Sequence, residues 1–365
     1  MKHLTRIDEL DQSTMLELFA RADAIRAAQE TVARHHHRIV ATLFYEPSTR
    51  TRLSFESAAL RLGARCLGFS DPSASSASKG ETLIDTIRTV QRYADLIVLR
   101  HPAEGAATLA AKVAQVPIIN AGDGGHEHPS QTLFDLYTIW QRFGDLAGRT
   151  IGFVGDLRYG RTVHSLSHAA AMFGMKLVFI APNSLQMPAH LKRRLEQHVS
   201  VRCVDDLASV IGDLDVLYVT RIQRERMDDQ TLKQLGDSHI ISPQLLTKAR
   251  SNMLVLHPLP RVDEIEPTVD EDPRAAYFEQ VANGVVMRMA LLDTLLTSTT
   301  PLPLGAHDAP ASLDDPPWRA DTDVTPCNNA RCVTNSERYV QPRWVTMVGD
   351  ADRKRCEYCD AEHSR

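Results

Sequence analysis

Residues 44–52 read Phe44-Tyr45-Glu46-Pro47-Ser48-Thr49-Arg50-Thr51-Arg52, so three aliphatic hydroxyls and two guanidiniums follow directly on an apolar run. That combination suits a phosphate. At a strand-to-helix junction several backbone N–H groups have no intrahelical partner and the helix dipole adds positive potential. Ser48, Thr49 and Thr51 add further donors, and Arg50 adds a planar fork matched to phosphate oxygens. The same stretch also fits a capped surface helix with two solvated arginines. Other residues of the same chemistry recur downstream. Arg100 follows the apolar run Leu96–Leu99, His128 and Gln131 lie where a glycine-rich loop enters a helix, and Arg161 leads into another helix. Thr220-Arg221-Ile222-Gln223 and His257-Pro258-Leu259-Pro260 each follow a short apolar run.

These positions have a common placement. Ile39–Phe44 has the β-branched and aromatic content of a buried strand, and the apolar residues from Leu53 to Leu62 have helical spacing up to Gly63, which makes Ser48 an N-cap candidate. The alternation continues with an apolar run at Cys66–Phe69, a helix over 81–93, a strand at 96–99, a helix over 105–115 and a strand at 116–119. Such alternation predicts a parallel sheet. A restart at Thr150–Asp156 predicts a second α/β domain, with strands at 177–180, 200–204, 216–219 and 253–256 and a long closing helix over 273–296. Polar groups just past the carboxyl ends of parallel strands are where open α/β sheets bind ligands. The small polar loop 71–80, with the single lysine Lys79, reads as either a connection or a lid.

Several rival chemistries fare worse. Gly152, Gly155 and Gly160 do not spell G-x-G-x-x-G, and no acidic ribose ligand ends the next strand, which argues against a dinucleotide. His126 and His128 are a conceivable metal pair without a convincing third ligand, and His35-His36-His37 reads as a solvated turn. Cys66 and Cys203 stand alone in strand-like runs and read as buried, inert thiols. With a formal net charge of −5, nothing global points to nucleic acid or an anionic membrane. No run of about 18 apolar residues exists, and Met1–Arg6 has no apolar signal core, so the expectation is a cytoplasmic protein with neither span nor secretion signal.

From Thr297 to Pro326 prolines recur among acids and small residues, which predicts a linker of ~30 Å as a flexible ensemble. Beyond it Cys327 and Cys332, then 23 residues, then Cys356 and Cys359 supply four soft ligands in two close pairs, as tetrahedral zinc requires. Disulfides are the alternative, but a module of 39 residues can hardly bury a sufficient core without a metal. Four thiolates leave no open position, so the zinc would be structural.

In this order, Tyr45–Arg52, Ser78-Lys79-Gly80-Glu81-Thr82, Arg100-His101-Pro102, His128–Gln131, Gly155–Thr162, Thr220–Gln223 and His257–Pro260 are very specific together. Over residues 1–296 the chain resembles the catalytic chain of aspartate carbamoyltransferase, and the cysteine module resembles the zinc domain of that enzyme's regulatory chain. The resemblance implies two doubly wound parallel-sheet α/β domains plus a small four-cysteine zinc domain. It gives a carbamoyl phosphate-binding domain at 1–133, an aspartate-binding domain at 134–296 whose last helix packs back on the first, a linker at 297–326 and the zinc domain at 327–365. It implies transfer of a carbamoyl group from carbamoyl phosphate to L-aspartate in pyrimidine biosynthesis. Ser48, Thr49, Arg50, Thr51 and Arg100 would hold the phosphate. Thr51, Arg100 and His128 would polarise the carbonyl, and Arg50 would share in the catalysis. Gln131 and the backbone at Pro258 and Leu259 would bind the carbamoyl amide, and Arg161, Arg221 and Gln223 the aspartate carboxylates. Ser75 and Lys79 would reach a neighbouring subunit's site, which implies a homotrimer-based oligomer, enlarged if the zinc domain bridges trimers. No catalytic cofactor, nucleic acid or membrane is implied. The alternatives are an ornithine carbamoyltransferase and a catalytically silent structural subunit. His257-Pro258-Leu259-Pro260 lacks the cysteine that the ornithine enzymes carry there, and two arginines suit a dicarboxylate.

Overall fold

The computed structural model describes residues 2–28, 34–71, 73, 76–221, 240–300, 325–337, 339–347 and 350–364. The chain divides into two compact units, one of residues 1–9, 17–130 and 288–365, the other of residues 10–16 and 131–287. Among the described residues, no helix is long and apolar enough to cross a membrane.

The first unit is built on a four-stranded parallel sheet of order β2-β1-β3-β4, with β1 Ile39–Phe44, β2 Arg65–Phe69, β3 Leu96–His101 and β4 Ile118–Asp123. Central β1 is buried along nearly its whole length, as its continuous apolar sequence requires, while edge strand β2 is half exposed. Helix α2 (Thr49–Arg61) follows β1, α3 (Leu83–Val90) precedes β3, and α4 (Ala106–Val113) joins β3 to β4. Strand β4 starts later and runs further than the 116–119 run suggests, because Pro117 cannot donate to the ladder. His35 is not a solvated turn residue: it is buried, and its Nε2 lies 2.8 Å from Asp293 Oδ1. Asp293 belongs to the last turns of the closing helix Tyr277–Thr297 and also takes Arg21 at 3.0 Å. Arg38 binds the carbonyls of Leu296 and Thr299, so the end of that helix packs on this unit.

The cysteine module belongs to the same unit. It is a three-stranded antiparallel sheet of β10 (Trp344–Met347), β11 (Asp350–Cys356) and β12 (Glu362–Ser364). Its buried residues, among them the four cysteines, Val333 and Tyr358, form one apolar cluster with α3, α4 and the sheet beneath them.

The second unit carries a five-stranded parallel sheet of order β7-β6-β5-β8-β9: β5 Thr150–Val154, β6 Lys176–Ile180, β7 Val201–Val204, β8 Val216–Val219 and β9 Leu254–Leu256. Helix α6 (Arg161–Met172) links β5 to β6, and α7 (Ala189–Glu196) links β6 to β7. Cys203 sits on edge strand β7 and is exposed, contrary to the buried thiol expected, since an edge strand is covered on one side at most. Cys66 is half-buried, and burial pushes its thiol up to about 11, which leaves it inert.

Candidate functional site

In the first unit, strand order gathers the candidate groups. The register pairs Phe44 with Arg100 and His101 with Asp123, so the carboxyl ends of β1, β3 and β4 lie side by side. Each delivers one part of the set: the Ser48–Thr51 stretch after β1, Arg100 at the end of β3, and His128 in the loop after β4. Ser48 has the extended backbone of an N-cap, yet its side chain makes no capping bond. The expected capping role is therefore absent. Thr51 is buried while Thr49 and Arg50 are exposed, so the seat is open on one side. Partial burial lowers the Arg50 pKa from its ordinary value. Arg100 is held by Glu46, whose Oε2 lies 3.3 Å from Nε, and its Nη1 donates to the Ala121 carbonyl at 3.4 Å. Sequence reasoning missed Glu46, although it lies inside the motif itself.

His128 closes a tightly tied loop at the start of helix α5 (Pro129–Phe143). Asp123 accepts from the N–H groups of Gly105 and Glu127 and from Asn120, and it faces His126 Nδ1 at 3.1 Å. His126, Glu127 and Asp360 could geometrically hold a metal ion. Arg6 already lies against Asp360, and both His126 ring nitrogens face carboxylates. A cation is thus built into the cluster, and the metal pair of His126 and His128 is not formed by these contacts. Burial opposes charge on His126, but Asp123 and Asp360 overcome it and raise its pKa well above the ordinary value.

The second unit repeats the device. Strands β5, β8 and β9 are neighbours, and beyond their carboxyl ends come Arg161 at the first turn of α6, then Thr220 and Arg221, then His257–Pro260. Gly155 makes this possible. It has φ 114°, and a Cβ there would lie 2.3 Å from the Thr220 carbonyl oxygen, so a side chain would push the ends of β5 and β8 apart. Leu259, at φ 51°, donates its N–H to His257 Nδ1 at 2.7 Å, which fixes the His257 proton on Nε2, 2.7 Å from Glu264 Oε1. Burial pushes the Glu264 carboxyl up, but the His257 hydrogen bond and the Val262 N–H outweigh it and bring it to about 2. Gln131 donates through Nε2 to Asp135 Oδ1 at 2.8 Å. Gln223 and Ser75 lie outside the described residues, and Lys79 ends an exposed 3-10 turn, Ser76–Lys79.

The four module cysteines are buried, with their sulfurs within 4.8 Å of one another. Cys327 and Cys359 sulfurs are 3.6 Å apart and those of Cys332 and Cys356 3.8 Å. Disulfide bonds need about 2.05 Å. Sulfurs on a tetrahedron at ~2.3 Å from a zinc ion are ~3.8 Å apart, so the donor set fits zinc. Hydrogen bonds with Cys356 and Cys359 pull the Cys332 thiol down, while those with Cys332 and Cys356 push Cys359 up; a shared divalent cation would let all four be thiolates.

Within the first unit the module is tied to α3, α4 and the residues after β3 by backbone and side-chain contacts. Glu104 exchanges hydrogen bonds with Arg331 and Val333, both at 2.8 Å, Glu337 accepts from the Leu83 N–H, and Lys112 pairs with Glu357 at 2.8 Å. Gly105, at φ 86°, lies so close that a Cβ would come within 2.6 Å of the Tyr358 backbone. Gly105→Ala should therefore cost about 2 kcal/mol or more in equilibrium unfolding. Gly144→Ala, at φ 72° with nothing within 4 Å of a Cβ, should lose only ~1 kcal/mol. Equal losses would contradict this docking.

Comparison with known proteins agrees with the geometry. Residues 2–141 match the family model for the aspartate/ornithine carbamoyltransferase carbamoyl-P binding domain, and residues 147–295 that for the Asp/Orn binding domain. Residues 322–365 match the metal binding domain of the aspartate carbamoyltransferase regulatory chain. The aspartate carbamoyltransferase catalytic subunit of Bifidobacterium longum is 48% identical over 305 residues, 82% of this chain and 95% of that protein. That of Methanopyrus kandleri is 55% identical over 262 residues, 71% of this chain and 85% of that protein. Among solved structures, the catalytic subunit of M. jannaschii aspartate transcarbamoylase superposes with a TM-score of 0.76 at 44% identity, covering 81% of this chain and 98% of that one. The Trypanosoma cruzi aspartate transcarbamoylase in complex with carbamoyl phosphate and aspartate gives 0.75 at 40% identity, covering 80% and 95%. Two parallel sheets presenting arginines, hydroxyls and a histidine at their carboxyl edges, and relatives that match nearly end to end, lead to one conclusion: the chain belongs to the aspartate carbamoyltransferase catalytic-subunit family and carries a regulatory-chain-type metal-binding domain at its C-terminus.

Proposed function

We propose that the protein transfers a carbamoyl group from carbamoyl phosphate to the α-amino group of L-aspartate, an early step of pyrimidine biosynthesis. What supports this reading is the pair of parallel sheets whose adjacent strands are followed by the Ser48–Thr51 stretch, Arg100 and His128 in one unit and by Arg161 and Arg221 in the other. In the first unit Ser48, Thr49, Arg50, Thr51 and Arg100 hold the phosphate. Thr51, Arg100 and His128 donate to the carbonyl oxygen as negative charge builds on it. In the second unit Gln131 and the carbonyls of Pro258 and Leu259 accept from the carbamoyl amide, and Arg161, Arg221 and Gln223 take the carboxylates of aspartate. The new C–N bond forms as the C–O bond to phosphate breaks, and the departing phosphate takes the amine proton. No protein nucleophile is needed. Aligning two small anions supplies up to ~7–11 kcal/mol, and each well-placed oxyanion donor ~3–4 kcal/mol.

The Cys327, Cys332, Cys356 and Cys359 set holds one structural zinc ion per chain. Ser75 and Lys79 complete the site of a neighbouring subunit, so the active assembly is built on a homotrimer, enlarged where the zinc domain bridges trimers. The oligomer works in the cytoplasm. Replacing His128 tests the reading. His128→Ala should lower kcat roughly 10²- to 10³-fold with saturating carbamoyl phosphate and aspartate, and an unchanged kcat would remove the histidine from the reaction.

A further inference from the structure

A buried polar network in the second unit joins the two elements assigned above to the carbamoyl amide. Asp135, fully buried on α5, takes three donors. Gln131 Nε2 at 2.8 Å and Gln280 Nε2 at 2.6 Å share Oδ1, and the Tyr218 hydroxyl donates to Oδ2 at 2.7 Å. Gln280 reaches on, its Oε1 accepting the His257 N–H at 3.0 Å. His257 in turn accepts the Leu259 N–H on Nδ1 and faces Glu264 through Nε2. Glu264 Oε2 also accepts the N–H groups of Val262 and Asp263 at 3.0 and 3.1 Å. Tyr218, Gln280, His257 and Glu264 are all buried.

The polarity of this chain of bonds is set at both ends. A carboxylate accepts and does not donate, so the end of the Gln131 amide that faces Asp135 is its NH₂, and Oε1 points away from the network. At the other end both carboxylate oxygens of Glu264 receive donors, and His257 pins the Leu259 N–H. The N–H of Leu259 is thereby spent, and residue 258, being proline, has none. Of the groups that could meet a ligand, Gln131 Oε1 and the carbonyls of Pro258 and Leu259 are acceptors, and neither residue 258 nor residue 259 has a backbone N–H left to offer.

We propose that Asp135 and Glu264 are specificity-determining positioning residues, which hold Gln131 Oε1 and the carbonyls of Pro258 and Leu259 as acceptors and so select an acyl phosphate bearing N–H donors over one bearing a methyl group. This rests on the assignment of Gln131, Pro258 and Leu259 to the carbamoyl amide. Buried acceptors left facing a methyl group lose their hydrogen bonds outright, which is how polar sites reject isosteres lacking the matching group. Asp135 touches no substrate in this scheme; it acts through Gln131.

Asp135→Ala tests this directly. An alanine removes both acceptor oxygens, so Gln131, Gln280 and Tyr218 all lose their partner and the Gln131 amide is no longer held in one orientation. The measurement is the inhibition constants of acetyl phosphate and inorganic phosphate, each competing with carbamoyl phosphate, together with KM for carbamoyl phosphate. The preference for carbamoyl over acetyl phosphate should fall roughly tenfold, while the constant for inorganic phosphate stays within about twofold. An unchanged preference, or a parallel loss of inorganic phosphate binding, would overturn the proposal. Should Asp135→Ala fail to fold, Glu264→Gln carries the same expectation, because its amide NH₂ would face the donor of His257 at one end or of Val262 and Asp263 at the other. A wild-type protein that carbamoylates aspartate but does not prefer carbamoyl over acetyl phosphate refutes this inference alone. One that transfers no carbamoyl group refutes the underlying reading of the reaction.

Discussion

Arg50→Ala should lower kcat/KM for carbamoyl phosphate roughly 10²- to 10³-fold, the loss expected when one preorganised charged donor leaves a developing anion. The geometry makes this a clean experiment. Arg50 is exposed in the first turn of α2, where guanidinium and helix N-terminus would reinforce one another on a phosphate. Because it fills no core position, the variant should keep its unfolding free energy within ~0.5 kcal/mol. Arg52, two residues further on and 3.9 Å from Glu56, provides the contrast: it belongs to an i,i+4 surface pair, and its replacement should change the rate little. A normal rate in Arg50→Ala would mean that the hydroxyl-rich stretch is an ordinary surface helix start that seats no phosphate.

Metal removal should have the second large effect. A module of 39 residues, whose buried cysteines are part of its core, should fold on its metal, and such sites contribute ~10–16 kcal/mol of apparent binding free energy in zinc-finger peptides. Elemental analysis should find about one zinc per chain. Thiol titration of the native protein should read about one reactive group, the exposed Cys203, since Cys66 is held up at about 11 and the four module thiols are buried. After chelation it should read about five. Sedimentation before and after chelation reads the bridging role as well, because an unchanged assembly would confine the module to its own chain. Reactivity that chelation leaves unaltered would reject the zinc site.

Much of this was legible in the sequence because of strand topology. Apolar runs such as Ile39–Phe44 and Leu96–Leu99, alternating with helical patterns, read as buried parallel strands, and residues just beyond their carboxyl ends become site candidates before any contact is known. The four cysteines were legible through spacing alone. What stayed hidden was long-range pairing. Nothing local to His35-His36-His37 announces Asp293, which buries the first histidine 258 positions away. Glu264 likewise looks like any loop acid until His257 is seen against it. Asp135 left a fainter trace, since it lies four residues after Gln131 on one helix, the spacing at which side chains meet. Cys203 misled because an apolar run cannot tell a central strand from an edge. Similarly, Ser48 has the residue type and backbone of an N-cap, but its hydroxyl makes no cap bond.

The most direct test of the central claim is the identity of the carbamoyl acceptor. Purified protein with carbamoyl phosphate should convert L-aspartate to N-carbamoyl-L-aspartate with stoichiometric release of phosphate, and should give no citrulline from L-ornithine at equal concentration. Citrulline formation, or release of no phosphate with either acceptor, would contradict it.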